Sequence, residues 1–150
     1  MPRLDTPHQI HATAVAIHGR GILLLGPSGA GKSDLALRLI DRGAKLVADD
    51  RVDLADNGAC VVLSAPARIA GLIEVRGLGI LTFTHVAAPL ALCIELVAPE
   101  AVERLPEPDA ELFCGHKIPL LRLAPFELSS PIKVELALSH APNYISGEVA

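Results

Sequence analysis

The stretch Gly26-Pro27-Ser28-Gly29-Ala30-Gly31-Lys32-Ser33 satisfies G-x-x-x-x-G-K-[ST] at every fixed position. It follows a short apolar run and opens a helix pattern, which is the context that gives this spacing its meaning. Glycines let the backbone N–H groups turn inward around phosphate oxygens, and the first helical turn adds a partial positive charge. Lys32 reaches β and γ phosphates, and the Ser33 hydroxyl is placed to ligate a magnesium ion that bridges them. Pro27, Ser28 and Ala30 complete the loop, Ser28 as a small residue in a tight turn. The chemistry indicated is binding of a phosphate chain together with magnesium.

Further along, Asp49 and Asp50 follow a short strand pattern just beyond that helix. Adjacent residues of a strand face opposite ways, but a strand ending at Ala48 would free both carboxylates. One is then suited to the metal or its water shell, and the other to taking a proton from an attacking hydroxyl. Glu74 and Arg76, two apart in an extended segment beside the Gly77-Leu78-Gly79 bend, fall on one face. A carboxylate and a guanidinium there would hold a metal and steady phosphoryl charge. Of the six histidines, His11 and His18 are not assigned by their surroundings in the sequence. His8, His85, His116 and His140 read as ordinary polar residues.

These groups need a scaffold, and the patterning supplies one. Ala12–Ile17 and Gly21–Leu25 read as strands joined at Gly19-Arg20-Gly21 in a tight hairpin. A helix spans Lys32 to Arg42, rich in leucine, with Gly43 placed to end it. "KLVADDRVDLADNGACVVLSAP" gives a strand, the aspartate pair, a second strand, a turn at Asp56-Asn57-Gly58 and a third strand. "PLALCIELVAPE" is a buried strand. "PEAVERLPEPDAE" is acidic and proline-broken, so it reads as an exposed loop with at most one helical turn. "HKIPLLRLAPF" is a strand, and Pro131–Ser139 a final helix. No repeat, low-complexity tract or linker interrupts the chain, so one domain over residues 1–150 is expected.

Composition narrows the function classes. The 150 residues are 51% hydrophobic, yet no uncharged apolar stretch approaches the ~20 residues needed to cross a bilayer. Surplus apolar surface on a small domain favours a homo-oligomer. A net charge of −4 with 3% aromatic residues lacks the basic surface and stacking platforms of a nucleic-acid binder. Cys60, Cys93 and Cys114 are odd in number and far apart, which suits reduced, buried thiols in a cytoplasm rather than disulfides or a metal site. The first nineteen residues show no secretion-signal pattern.

Taken together, His11 fifteen residues before the P-loop, "GPSGAGKSDLALRLIDRGAKLVADD" and "IEVRGLGI" resemble the HPr kinase/phosphorylase family, in its C-terminal catalytic domain. "IEVRGLGI" is the most specific of these, since it belongs to no generic nucleotide-binding pattern. The likeness covers Ile10 to Ile80 well and the remainder loosely. It implies an α/β P-loop fold related to phosphoenolpyruvate carboxykinase, with mixed, largely antiparallel β-structure, a P-loop helix and a C-terminal helix. It also implies an ATP-dependent protein-serine kinase acting on the phosphocarrier HPr, in some members reversed by phosphorolysis, and a cytoplasmic homohexamer.

Carried over by position, the resemblance makes His11, Lys32 and Asp50 active-site residues. Asp50 is the base toward the serine, Asp49 its acidic neighbour, and Ser33 and Glu74 the magnesium ligands. Arg104 in "VERLP" is the best match to a further catalytic arginine. Two departures stand out. The 150 residues hold no counterpart of the family's separate N-terminal domain, so a short form is expected. The C-terminal proline-glycine-arginine-asparagine stretch associated with dephosphorylation is replaced by "KIPLLRLAPFE", leaving Arg122 as a possible substitute. Two other readings stay open: a kinase for a small hydroxylated metabolite, and an ATP-sensing module without catalysis.

Overall fold

The computed structural model describes residues 8–140. The expectation of no secretion signal, read partly from residues 1–7, therefore lies partly outside the described residues. Period-two alternation decides most of the fold. In β2 (Thr13–Ile17) and β3 (Arg20–Leu25), Val15, Ile22 and Leu24 enter one core, while Ala14, Ala16 and Leu23 enter a second core on the opposite face. Both faces of this sheet are thus covered, which explains why its strands read as near-continuous apolar runs. The long strand β9 (Ala88–Leu96) also serves both cores, with Leu92, Ile94 and Leu96 on one side and Cys93 on the other, while a register shift against β3 between Leu90 and Leu92 puts Leu90 with Cys93.

The first core lies under the helices. In α1 (Lys32–Asp41), Leu35, Ala36 and Leu39 are fully buried, and α2 (Ser130–His140) adds Val134, Ala137 and Leu138. Each such leucine contributes ~1.5–3 kcal/mol of transfer free energy. On the exposed side Arg42 donates to both carboxylate oxygens of Glu135, at 3.0 and 2.8 Å, tying α1 to α2. The second core is closed by a smaller antiparallel layer made of β1 (His8–His11), β5 (Arg51–Asp56) and β6 (Val61–Ser64), which supplies Val52, Leu54, Val61 and Leu63.

The central sheet runs β10 (Asp109–Phe113), β11 (His116–Leu123), β9, β3, β2 and β4 (Lys45–Ala48). Among the described residues only the β3–β9 and β9–β11 ladders are parallel. The carboxyl ends of these three strands therefore open at one edge, where ligands of open α/β sheets bind. A separate hairpin, β7 (Leu72–Val75) and β8 (Gly79–Thr82), drops Ile73 into the helix-side core. The expected mixed, largely antiparallel α/β fold with two helices is what the chain adopts.

Several local expectations need correction. The β2–β3 turn is His18-Gly19, both at positive φ (51° and 75°), with Arg20 already paired to Ile17. A two-residue loop of this kind matches the strand twist better than the three-residue Gly19-Arg20-Gly21 connection. The acidic loop is shorter than it reads, because Asp109–Phe113 becomes β10 through pairing with β11. Strand β1 is held by its antiparallel ladder to β5. Of the cysteines only Cys93 is buried, while Cys60 and Cys114 are half-exposed, and all three are free.

Candidate functional site

The P-loop leaves β3 at Leu25 and returns as α1 at Lys32. Its glycines take conformations closed to other residues, Gly29 with φ 81° and Gly31 with φ 101°. A Cβ at Gly31 would also meet the exposed Phe126 ring at 2.7 Å and displace it, but the positive φ is what favours glycine there. No side chain caps α1. Among the described residues the backbone N–H groups of Gly29, Gly31, Lys32 and Ser33 find no acceptor in the protein. That is the donor cradle a phosphate chain needs.

Lys32 is almost fully buried and donates to the carbonyls of Gly26 (2.6 Å) and Pro27 (2.9 Å). Desolvation pushes its ammonium below the ordinary lysine range, partly offset by the carboxylates of Asp50 and Asp49. The cation is thus held at the mouth of the loop by geometry and by nearby negative charge.

Strand β4 ends at Ala48 and β5 starts at Arg51, so the aspartate pair sits in a tight corner. Asp50 is left-handed, with φ 72°, a conformation that aspartate tolerates better than most residues. The corner separates the two carboxylates. Asp49 turns inward, 7% exposed, and accepts from Ser33 Oγ at 2.6 Å and Thr13 Oγ1 at 3.0 Å. Its second oxygen faces the Glu74 backbone N–H at 3.4 Å. Asp50 turns outward and shares a 2.8 Å hydrogen bond with His11 Nε2. The carboxylate bound to the P-loop serine is therefore separate from the one presented to solvent.

Thr13 was not among the residues singled out from sequence. It is 1% exposed on the helix-side face of β2, and the β2–β4 register, with Ala14 opposite Ala48, brings it beside Asp49. A threonine at a buried strand position is the available signal, since a buried hydroxyl needs a partner.

Glu74 lies in β7 with its side chain exposed, and Arg76 falls beyond the strand in the hairpin turn, also exposed. The two therefore do not share a strand face as the spacing suggested. Arg104 is exposed in the loop before β10 and forms no hydrogen bond or ion pair among the described residues. Arg122 is engaged elsewhere, donating to Glu95 at 2.8 Å and Asp109 at 3.1 Å. His18 occupies the β2–β3 turn, and His116 pairs with Asp56 at 2.9 Å, away from the aspartate corner.

No group of three or more His, Cys, Asp or Glu side chains stands ready for a metal among the described residues. The Ser33 hydroxyl and the Asp49 carboxylate, with Glu74 adjacent, nonetheless form a hard oxygen set beside a phosphate cradle. Such a set suits magnesium, which keeps several waters and takes few protein ligands.

Beside the loop lies an apolar cleft of about 290 Å³, whose walls include Pro27, Ala30, Leu96, Val97, Pro125 and Phe126. It was not foreseen from sequence, because its walls come from three separate strand ends.

A phosphate-binding loop at the carboxyl end of a parallel strand pair, its serine bound to a buried carboxylate, defines a P-loop nucleotide-binding protein. Residues 3–119 match the family model described as the HPr Serine kinase C-terminal domain, and the chain belongs to that family. It is similar to the HPr kinase/phosphorylase of Clostridium acetobutylicum, 49% identical over 79 residues, covering 53% of this chain and 26% of the relative. It is also similar to that of Enterococcus faecalis, 45% identical over 80 residues, with 53% and 26% covered. This chain thus spans about a quarter of the length of the curated relatives it matches. Among solved structures it resembles the Hpr(Ser) kinase/phosphatase from Coxiella burnetii. There the TM-score is 0.76 at 28% identity, covering 88% of this chain and 94% of that one.

Proposed function

We propose that this chain is the catalytic unit of an ATP-dependent protein-serine kinase whose acceptor is an HPr-like phosphocarrier. The observation that carries the reading is the division of labour at the aspartate corner. Asp49 is bound to the P-loop serine, and Asp50, outward-facing and paired with His11, is accessible to a docked acceptor. Family membership and the names of the relatives support the choice of acceptor.

In this reading the N–H cradle and Lys32 bind and orient the phosphates of ATP. Asp50 takes the proton of the acceptor serine as its oxygen attacks phosphorus, and His11 holds the Asp50 carboxylate in place. Asp49, Ser33 and Glu74 would hold magnesium, which when bound neutralises phosphate charge. Arg76 and Arg104, both exposed and unpaired among the described residues, would complete the charge complement only when a partner or a second subunit brings phosphate near them. Arg122 is committed to Glu95 and Asp109, so it offers no free anion-binding group for phosphorolysis. A single catalytic domain in a cytoplasmic homohexamer belongs to the same proposal, supported by exposed Leu78, Ile80, Leu128 and Leu136.

The test is transfer of labelled phosphate from ATP to a purified HPr-like carrier, run beside small hydroxylated acceptors. Serine labelling of the carrier is the expected result. Labelling of a small acceptor alone would make the chain a metabolite kinase, and ATP binding with no turnover on any acceptor would make it a sensor.

A further inference from the structure

The apolar cleft beside the P-loop has no role in the chemistry above. It continues directly from the phosphate cradle, since Pro27, Gly29 and Ala30 belong to both. Its other walls are the segments that follow β9 and β11, the parallel neighbours of the P-loop strand β3. The phosphate cradle thus opens directly onto an apolar surface.

The walls are held in place before anything binds. Val97 N–H donates to the Leu123 carbonyl at 2.9 Å, joining the two segments. The Phe126 segment is pinned by Arg38, whose guanidinium donates to the carbonyls of Pro125 and Glu127. The buried Ser130 hydroxyl donates to Ala124 O at 2.7 Å and accepts from Glu127 N–H. Phe126 is nevertheless 68% exposed, a large ring offered to solvent at the cleft edge and backed by Gly31. An exposed aromatic carried on a pinned backbone segment, at the rim of a shallow apolar slot, is a stacking platform.

Every residue lining the cleft is apolar. No side chain can read the hydrogen-bonding edge of a base. Strong discrimination between similar ligands requires buried polar groups that the wrong ligand leaves unpaired, and an apolar pocket rejects alternatives only weakly.

We infer that this cleft is the nucleobase subsite of the donor, gripping a purine by stacking on Phe126 and by shape, and that it therefore accepts adenine and guanine nucleotides nearly alike. The inference rests on the P-loop half of the kinase reading and is independent of which acceptor is used.

The test is direct binding, by calorimetry with magnesium, of ATP, GTP and inorganic triphosphate to the wild-type chain, to Phe126→Ala and to Ala98→Leu. Ala98 lines the cleft outside the P-loop, so a leucine there fills it without touching the cradle. ATP and GTP should bind within about threefold of one another and about tenfold or more tighter than triphosphate, the range that one base–aromatic stack supplies. Both variants should erase most of that advantage and leave triphosphate binding unchanged.

The inference is overturned if ATP binds no tighter than triphosphate, or if GTP is weaker than ATP by thirtyfold or more. It is equally overturned if Ala98→Leu weakens all three ligands alike or none of them. Binding of none of the three would remove the P-loop reading itself, and the inference with it. A base preference found alongside normal carrier phosphorylation would remove the inference alone.

Discussion

Thr13 provides the sharpest check on how the acidic corner is built. Its hydroxyl donates to Asp49 at 3.0 Å from a position that is 1% exposed, so water cannot replace it. Thr13→Val keeps the shape and removes the donor. A hydrogen bond to a charged group contributes ~1.5–3 kcal/mol, and the new buried methyl returns up to ~0.8 kcal/mol. The net loss is then about 1–2 kcal/mol, measured by urea unfolding with far-UV circular dichroism.

The partner assignment is tested by a double-mutant cycle. In an Asp49→Ala background the acceptor is gone, so Thr13→Val should be neutral or stabilising, a coupling of ~1 kcal/mol or more. Equal costs of Thr13→Val in both backgrounds would refute the reasoning, since the hydroxyl would then be serving some other partner. A wild-type-like Thr13→Val would refute it as well. If the cycle holds, loosened Asp49 should also weaken magnesium-dependent nucleotide binding in Thr13→Val while leaving the magnesium-free component unchanged.

Other outcomes follow from the same geometry. Asp50→Asn should retain ATP binding and lose phosphoryl transfer by ~10²–10⁴-fold, as read by labelled carrier, because only the proton acceptor is removed. Gly31→Ala should abolish nucleotide binding and cost ~1–3 kcal/mol, since it places a Cβ at positive φ against Phe126. Burial pushes the Cys93 thiol up to about 12 from its ordinary 9, so native protein at pH 8 should alkylate at Cys60 and Cys114 and spare Cys93 until urea is added. Above pH 9 the unfolded thiol ionises and the folded one does not, so stability falls with rising pH up to about 12. Cys93→Ala should flatten that slope. The Gly58 N–H, followed by His116, holds the Asp56 carboxyl below its usual range, so this contribution is present above pH ~4 and lost as the pH falls further. Asp56→Asn should shrink the stability gap from wild type in acid.

The features legible from sequence were those set within a few residues. The P-loop, the helix after it, its termination near Gly43 and the Asp56-Asn57-Gly58 turn each depend on local spacing and on glycine's tolerance of positive φ. Strand alternation likewise placed most of the core. Strand β10 was not legible, because an acidic, proline-flanked segment becomes a strand only when β11 offers a ladder. The same is true of β1, whose polar residues pair with β5 at a separation of about forty residues.

The sequence by itself determined the course of the P-loop and which lysine and serine stand at it, because one short loop carries all of that geometry. Only the tertiary structure decided which aspartate faces inward. That outcome depends on Thr13 and Ser33, 36 and 16 residues away along the chain, and on a left-handed residue at Asp50. It also moved Arg76 out of the strand face shared with Glu74, and it built an apolar cleft from three segments that are neighbours only because β3, β9 and β11 run parallel. Residue spacing encodes a site wherever backbone geometry is local. Where a side chain's environment is set by sheet register and by burial against distant segments, only the folded chain specifies it.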